Sequence, residues 1–280
     1  MWFLRAPWLS RPSRPLSSAP QRPTAPPRSV QALLRRNRDQ LLDQIEQATS
    51  RAGRESETVR LLPVTKSVTA RVAMELFGIG QKDLAENRID ILESKRLEFE
   101  AAGLAPVWHF IGHIQRNKAA RVVRAADVIH SVDSQRLLAA LDRQATEAGR
   151  RLGIYLQVKL SGEEAKHGLS EAELAETTEL ARASESLELL GLMTMAPLAP
   201  DPDTARARAL ETFGRLAELG RTLPAEAFAG GRPELSMGMS GDFEEAIACG
   251  TDVVRIGSAL FEGIDQAERV GPKFRSGEPG

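Results

Sequence analysis

What this chain has little of already narrows its chemistry. It carries a single cysteine, Cys249, which excludes an intrachain disulfide framework and a cysteine-built zinc site. Its four histidines, His109, His113, His130 and His167, show no H-E-x-x-H spacing, so no metal site is expected. There is one tyrosine, Tyr155. Neither sign of charge prevails: Lys and Arg number 37 and Asp and Glu 38, and nothing points to nucleic acid or an anionic membrane surface as a partner. No segment is long and apolar enough to span a bilayer. No G-x-G-x-x-G follows the first strand-like run. The glycines of "FGIGQ", residues 77–81, come after a helical stretch and read as the turn back into the next strand.

What is present is an ordinary globular composition, 42% hydrophobic and 27% charged over 280 residues, behind an unusual beginning. Residues 1–28 are rich in Arg, Pro and Ser, and the first acidic residue is Asp39. That composition is similar to an organelle transit peptide, but its prolines would break the amphipathic helix such a peptide needs. The segment reads as a disordered extension or an overlong translation start, with mitochondrial targeting as the alternative to a reducing, cytoplasmic location. A single domain is expected over 29–263, followed by a C-terminal tail over 264–280.

Within that domain the text is regular. Leu33, Leu34, Leu41, Leu42 and Ile45 lie near helical spacing and Gly53 closes the pattern, an N-terminal helix extra to the repeat that follows. Short apolar runs then alternate with amphipathic stretches. Strands are expected at 59–65, 83–87, 107–112, 127–132, 154–160, 187–195, 234–239 and 252–258. Eight such strands with helices between them fit a (β/α)8 TIM barrel, an α/β fold, better than the alternative of an open doubly wound sheet.

The barrel gives meaning to "LLPVTKS", residues 61–67. Lys66 ends an apolar run, at the face where barrel enzymes build their sites. A strand that merely lets a charged tip reach water is the plain alternative. In "LSMGMSGDFEEAIACGTDVVRIGSALFEG", residues 235–263, Ser236, Gly238, Ser240 and Gly241 crowd the loop after strand seven, and Gly257 and Ser258 follow strand eight. Small residues there let backbone N–H groups approach a phosphate, aided by the start of a helix near Phe243. Arg255 interrupts the last apolar run, where a guanidinium needs an acceptor: a ligand, or a carboxylate such as Glu86. A strand-end lysine, a phosphate cradle and an inward arginine together suggest pyridoxal phosphate, with the lysine as Schiff-base partner and the arginine facing the pyridine nitrogen.

These residues carry a family resemblance. "LLPVTKS", "AENRID", "WHFIGHIQRNK", "SGEEAKHGL", "GLMTM" and the long segment from Leu235 resemble, in order and spacing, the pyridoxal-phosphate homeostasis proteins, the YggS family of bacteria. The resemblance runs from about residue 30 to 263 and implies a single barrel of the alanine racemase N-terminal type. It further implies that Lys66 forms the aldimine, that Met239, Ser240, Gly257 and Ser258 hold the phosphate, that Arg255 faces the ring nitrogen, and that Asn87 and His109 line the ring. His109 reads equally as a hydrogen-bonded core histidine. Three positions depart from the family's usual residues: Thr65 and Ala165 each stand for Ser, and Ala85 stands for Gly, where a side chain would crowd the cofactor edge if the backbone needed φ > 0.

The resemblance implies a protein that keeps pyridoxal 5'-phosphate as a protected aldimine and serves vitamin B6 homeostasis as a buffer or carrier, with apo-enzymes as recipients. Racemisation needs an acid/base on each face of a planar intermediate. Lys66 serves one face. In alanine racemases a tyrosine from a C-terminal domain serves the other, and here Tyr155 sits inside the strand "IYLQVKL" with only a short segment after the eighth strand. No catalytic residue is therefore assigned. The alternative is a small racemase-like enzyme using His109 or water as second base; a third reading is a phosphosugar barrel without cofactor. Lys166 reads as a second amine near the barrel mouth or as a solvated loop lysine. Without the racemases' extra domain, a monomer is expected.

Overall fold

The computed structural model describes residues 29–55, 58–160 and 167–270. The N-terminal extension, Ala165, Lys166 and the last ten residues of the expected tail lie outside the described residues.

Alternation along short strands, shifted by irregularities in β4, β5 and β6, builds two apolar layers. In β1 (Arg60–Pro63), Leu61 joins the apolar layer between sheet and helices, whereas Leu62 joins an interior cluster with Val64, Ala85 and Val253. The same division holds in β2 (Asp83–Glu86), where Leu84 points outward and Ala85 inward. In β5 (Leu152–Gln157), Ile154 faces the helices and Tyr155 packs inside with Val128, Leu190 and Met193. Successive side chains of a strand point to opposite faces, so each strand supplies both layers.

The other strands are β3 (Val107–Phe110), β4 (Val128–Val132), β6 (Leu187–Met193), β7 (Glu234–Ser236) and β8 (Val253–Ile256). They form one eight-stranded sheet in the order β1-β8-β7-β6-β5-β4-β3-β2, with every pairing parallel. A single bridge between Val64 and Ala85 brings the two ends together, and the Thr65 N–H donates to the Ala85 carbonyl at 2.8 Å. The barrel expected from the repeat is therefore the fold observed. Several strands are shorter than their apolar runs: the run at 234–239 contributes only Glu234–Ser236 to the ladder. The excess residues are the loops of the barrel mouth.

Helices α2 (Ala70–Gly78), α3 (Ile89–Ala101), α4 (Ala119–Ala125), α5 (Gln135–Glu147), α6 (Glu171–Arg182), α7 (Pro202–Thr222) and α8 (Phe243–Ala248) follow strands β1 to β7 in turn. Several have side-chain caps: Thr69 accepts from the Val72 N–H, Ser134 from Leu137 and Asp201 from Thr204, while Ser170 and Glu173 form a reciprocal box.

No α-helix follows β8 among the described residues. Helix α1 (Val30–Arg51), capped by Ser29, takes that place, packing against both α2 and α8. Its buried Asn37 amide donates to the carbonyls of Leu260 (3.1 Å) and Glu262 (2.9 Å), just beyond β8. The N-terminal helix expected ahead of the repeat is thus present, and it closes the barrel's outer ring between α8 and α2. The chain past 263 also continues to pack: Thr69 donates to the Glu268 carbonyl and Val270 to that of Ser67, either side of the start of α2. Replacing Asn37 by Ala would leave two carbonyls without this donor, and Asn37→Ala is expected to destabilise the fold by about 1–3 kcal/mol, read from the urea midpoint at unchanged slope.

Candidate functional site

Lys66 stands exposed in the turn between β1 and α2, three residues past the strand end. A buried charged pair fixes that turn from beneath. Lys95 of α3 is 3% exposed and Glu86 at the end of β2 is fully buried; the two form a salt bridge. The Lys95 ammonium also donates to the Thr65 carbonyl (2.8 Å) and hydroxyl (3.2 Å), and that hydroxyl donates to Glu86 (2.7 Å). Burial pulls the Lys95 amine below the ordinary lysine value, and Glu86 opposes it. Two lysines thus take opposite roles: Lys95 clamps the residue before Lys66, and Lys66 is left to the mouth. Glu86, weighed from the sequence as a partner for Arg255, belongs to Lys95 instead.

Arg255 projects from β8 into the barrel and is 4% exposed. Its guanidinium donates to the Ser236 carbonyl (2.6 Å), the Ser236 hydroxyl (2.9 Å) and the Thr194 carbonyl (3.0 Å). All three acceptors are neutral, and no carboxylate forms a salt bridge with Arg255 among the described residues. Burial lowers its pKa to about 10, against the raising pull of Asp242 and Tyr155, which leaves it charged at neutral pH. A guanidinium has five N–H donors, and these three bonds leave capacity for an acceptor of the size and basicity of a ring nitrogen.

From Ser236 a chain of hydrogen bonds crosses the interior. The Ser236 hydroxyl lies 2.9 Å from His130 Nδ1, His130 Nε2 lies 2.9 Å from His109 Nδ1, and His109 Nε2 lies 3.0 Å from Asp83. His130 is held neutral: full burial lowers its pKa well below the ordinary value, reinforced by His109, Arg255 and Arg60. Donation in one direction, from Ser236 to His130, from His130 to His109 and from His109 to Asp83, satisfies every ring nitrogen with both imidazoles neutral, and it matches a donor-only guanidinium at one end and an acceptor carboxylate at the other. His109 thus has both ring nitrogens engaged by protein, the core-histidine reading weighed for it.

Tyr155 stacks on His130 with ring centroids 4.2 Å apart. Its hydroxyl donates to Glu234, which also pairs with Arg60. Burial, then Glu234, push the phenol well above its ordinary pKa. Arg60 and Glu234 are the first residues of β1 and β7, so the phenol is tied to the end of the barrel away from the mouth.

The loop after β8 lies beside the turn that carries Lys66. Gly257 lies against Val64, two residues before the lysine: a Cβ there would sit 2.9 Å from the Val64 carbonyl oxygen. No larger residue fits without moving the cradle away from β1. Among the described residues, the backbone N–H groups of Ser240, Gly241, Gly257 and Ser258 have no hydrogen-bond acceptor. The Met239 N–H is different, because it already donates to Asp242. Helix α8 is six residues long, so the cradle rests on the N–H groups of the two loops rather than on a helix dipole. On these observations the residues fit a phosphate.

Asn87 follows β2 directly, and Gly112 after β3 packs so closely on it that a Cβ would fall 1.9 Å from the Asn87 carbonyl oxygen. Ala85 lies in regular strand, paired with His109, so its methyl strains no backbone and joins the interior cluster. Sequence reasoning missed His130, Asp83 and Thr194 as partners of this network, although their signal was available. His109, His130 and Arg255 occupy inward positions of their strands, and a polar residue there needs a polar neighbour.

The Lys66 amine, the buried Arg255 guanidinium and the loops after β7 and β8 thus all lie toward the C-terminal ends of the strands of one parallel barrel. The family model for the alanine racemase N-terminal domain matches residues 37–264. The chain belongs to this family, and within it to the pyridoxal phosphate homeostasis proteins. A protein of that name from Vibrio alginolyticus is 35% identical over 239 residues, spanning 83% of this chain and 98% of the relative. The structure of PipY from Synechococcus elongatus, solved with pyridoxal phosphate bound, is 31% identical with a TM-score of 0.67 and is covered over its full length, against 83% of this chain. An alanine racemase from Corynebacterium glutamicum, 15% identical with a TM-score of 0.57, shares the fold; 85% of this chain matches 64% of it.

The polarity of the interior chain is directly measurable. Both His109 and His130 are expected as the Nε2–H tautomer in the 15N spectrum of imidazole-labelled protein; Nδ1–H on either ring contradicts the assignment.

Proposed function

We propose that this chain binds pyridoxal 5'-phosphate through the amine of Lys66 and serves vitamin B6 homeostasis as a buffer and carrier rather than as a catalyst. The observation that carries the reading is the close contact of Gly257 with Val64, which sets the β8 loop, with the N–H groups of Gly257 and Ser258, beside the Lys66 turn. The relative solved with pyridoxal phosphate bound supports the same cofactor for this chain.

When bound, pyridoxal phosphate supplies an aldehyde that condenses with an amine and a ring that withdraws electrons. The chain's own residues then divide the work. Ser240, Gly257 and Ser258 receive the phosphate, largely through backbone N–H groups, and Met239 adds its position in the loop. Arg255 donates to the ring nitrogen and, staying charged, leaves that nitrogen without a proton, which weakens the ring as an electron sink. Asn87 and the face of His109 border the ring. Lys66 would engage the aldehyde at the mouth in place of the free amines with which it otherwise condenses.

The engaged residues also argue against racemisation. His109 has no free ring nitrogen to take a proton, and Tyr155 is buried with its hydroxyl on Glu234. The homeostasis relative from Vibrio alginolyticus is matched over nearly its whole length, which supports the same role for this chain. Apo-enzymes that require the cofactor are the proposed recipients, with a monomeric protein in the cytoplasm as the working state. No helix among the described residues is long and apolar enough to cross a membrane.

Purified protein is expected to be yellow, and borohydride followed by peptide mass spectrometry should find the cofactor on Lys66; Lys66→Ala should lose the band even with cofactor in excess. A colourless wild type that gains no band under the same excess would overturn the assignment. Incubation with alanine in deuterated water is expected to give α-deuterium exchange no faster than free cofactor. Sustained faster exchange would establish the racemase-like alternative.

A further inference from the structure

We propose that His113, Asp133 and His167 bind a divalent transition-metal ion, zinc above all, at a second site on the barrel mouth. The three residues come from the loops after β3, β4 and β5, the arc of the mouth opposite the Lys66 turn and the loops of β7 and β8. His113 Nδ1 lies 3.1 Å from Asp133 Oδ2. The His113 and His167 rings stack with centroids 3.8 Å apart and planes at 14°. One ligand atom from each of the three residues lies within 4.8 Å of the others.

Two imidazoles and a carboxylate are the donor set of mononuclear zinc sites that keep an open position. Zinc–nitrogen bonds of about 2.0–2.1 Å in tetrahedral geometry place neighbouring ligand atoms about 3.3 Å apart. The His113–Asp133 spacing already matches, and the remaining approach needs only the stacked rings to open toward one another. Their exposure permits it: the His113 side chain is 45% exposed, whereas that of Asp133 is 10% exposed. The carboxylate is the anchor. Its other oxygen accepts from the Ser134 hydroxyl at 3.2 Å, and Ser134 caps α5, so the outer shell that orients a ligating carboxylate is present. The site opens onto a pocket of about 480 Å³, which Arg116, Arg136 and Lys159 also line. Those cations favour a water or an anionic oxygen in the fourth position over a second metal ion. The site uses none of Lys66, Arg255 or the phosphate cradle, so it stands or falls separately from the cofactor reading. No spacing motif reveals it, because each ligand comes from a different loop.

The test is a Co²⁺ titration of untagged, full-length protein stripped by chelator, followed by displacement with Zn²⁺. One equivalent of Co²⁺ is expected to give the visible bands of a low-coordinate site, and Zn²⁺ should abolish them and raise the melting temperature. His113→Ala, His167→Ala and Asp133→Asn should each weaken Co²⁺ binding about tenfold or more while borohydride trapping at Lys66 is unchanged. Binding that is absent from the wild type, or as strong in the His113→Ala/His167→Ala double variant, would overturn the proposal.

Discussion

A guanidinium enclosed by a barrel organises this molecule. Moving a charge from water into an apolar interior costs several kcal/mol, and hydrogen bonds of good geometry must offset that cost. Arg255 meets the demand with Ser236 and Thr194, on β7 and just past β6, and no carboxylate forms a salt bridge with it among the described residues. The charge is therefore held by neutral acceptors. Everything polar behind it follows in sequence: Ser236 needs an acceptor, His130 provides one, and the chain ends on the half-exposed Asp83, whose charge opposes that of Arg255.

The two lysines beneath the mouth show the same economy in reverse. Lys95 is buried and fully committed, bonded to Glu86 and to both oxygens of Thr65. Because it grips the carbonyl of Thr65, it holds the backbone from which Lys66 projects. The buried pair fixes that backbone, and the Lys66 side chain stands exposed beyond it.

Packing at the β1–β8 seam ties these parts together. Val64 bridges to Ala85 on one side and abuts Gly257 on the other, so closure of the barrel and assembly of the cradle are one contact. Helix α1 completes the outer ring over this seam and bonds through Asn37 to the chain leaving β8. The N-terminal helix is consequently as much a part of the site's foundation as the strands are.

Much of this was legible in the residues themselves. The recurrence of short apolar runs between amphipathic helical stretches pointed to the eight-fold repeat and to the barrel ahead of an open sheet. "LLPVTKS" and the Gly/Ser loops located the mouth, because the barrel puts strand ends there. Long-range pairing was not legible. Whether Arg255 would meet Glu86 or Ser236 depends on which inward positions share a layer, and that is decided by register around the closed sheet. Helix α1 was legible as a helix ahead of the repeat, but linear order did not show that it packs in the gap after β8. The convergence of His113, Asp133 and His167 was equally hidden. Local pattern reports which face a residue takes; only closure of the sheet decides which residues on that face meet, since strands far apart in the chain become neighbours only when the barrel is complete.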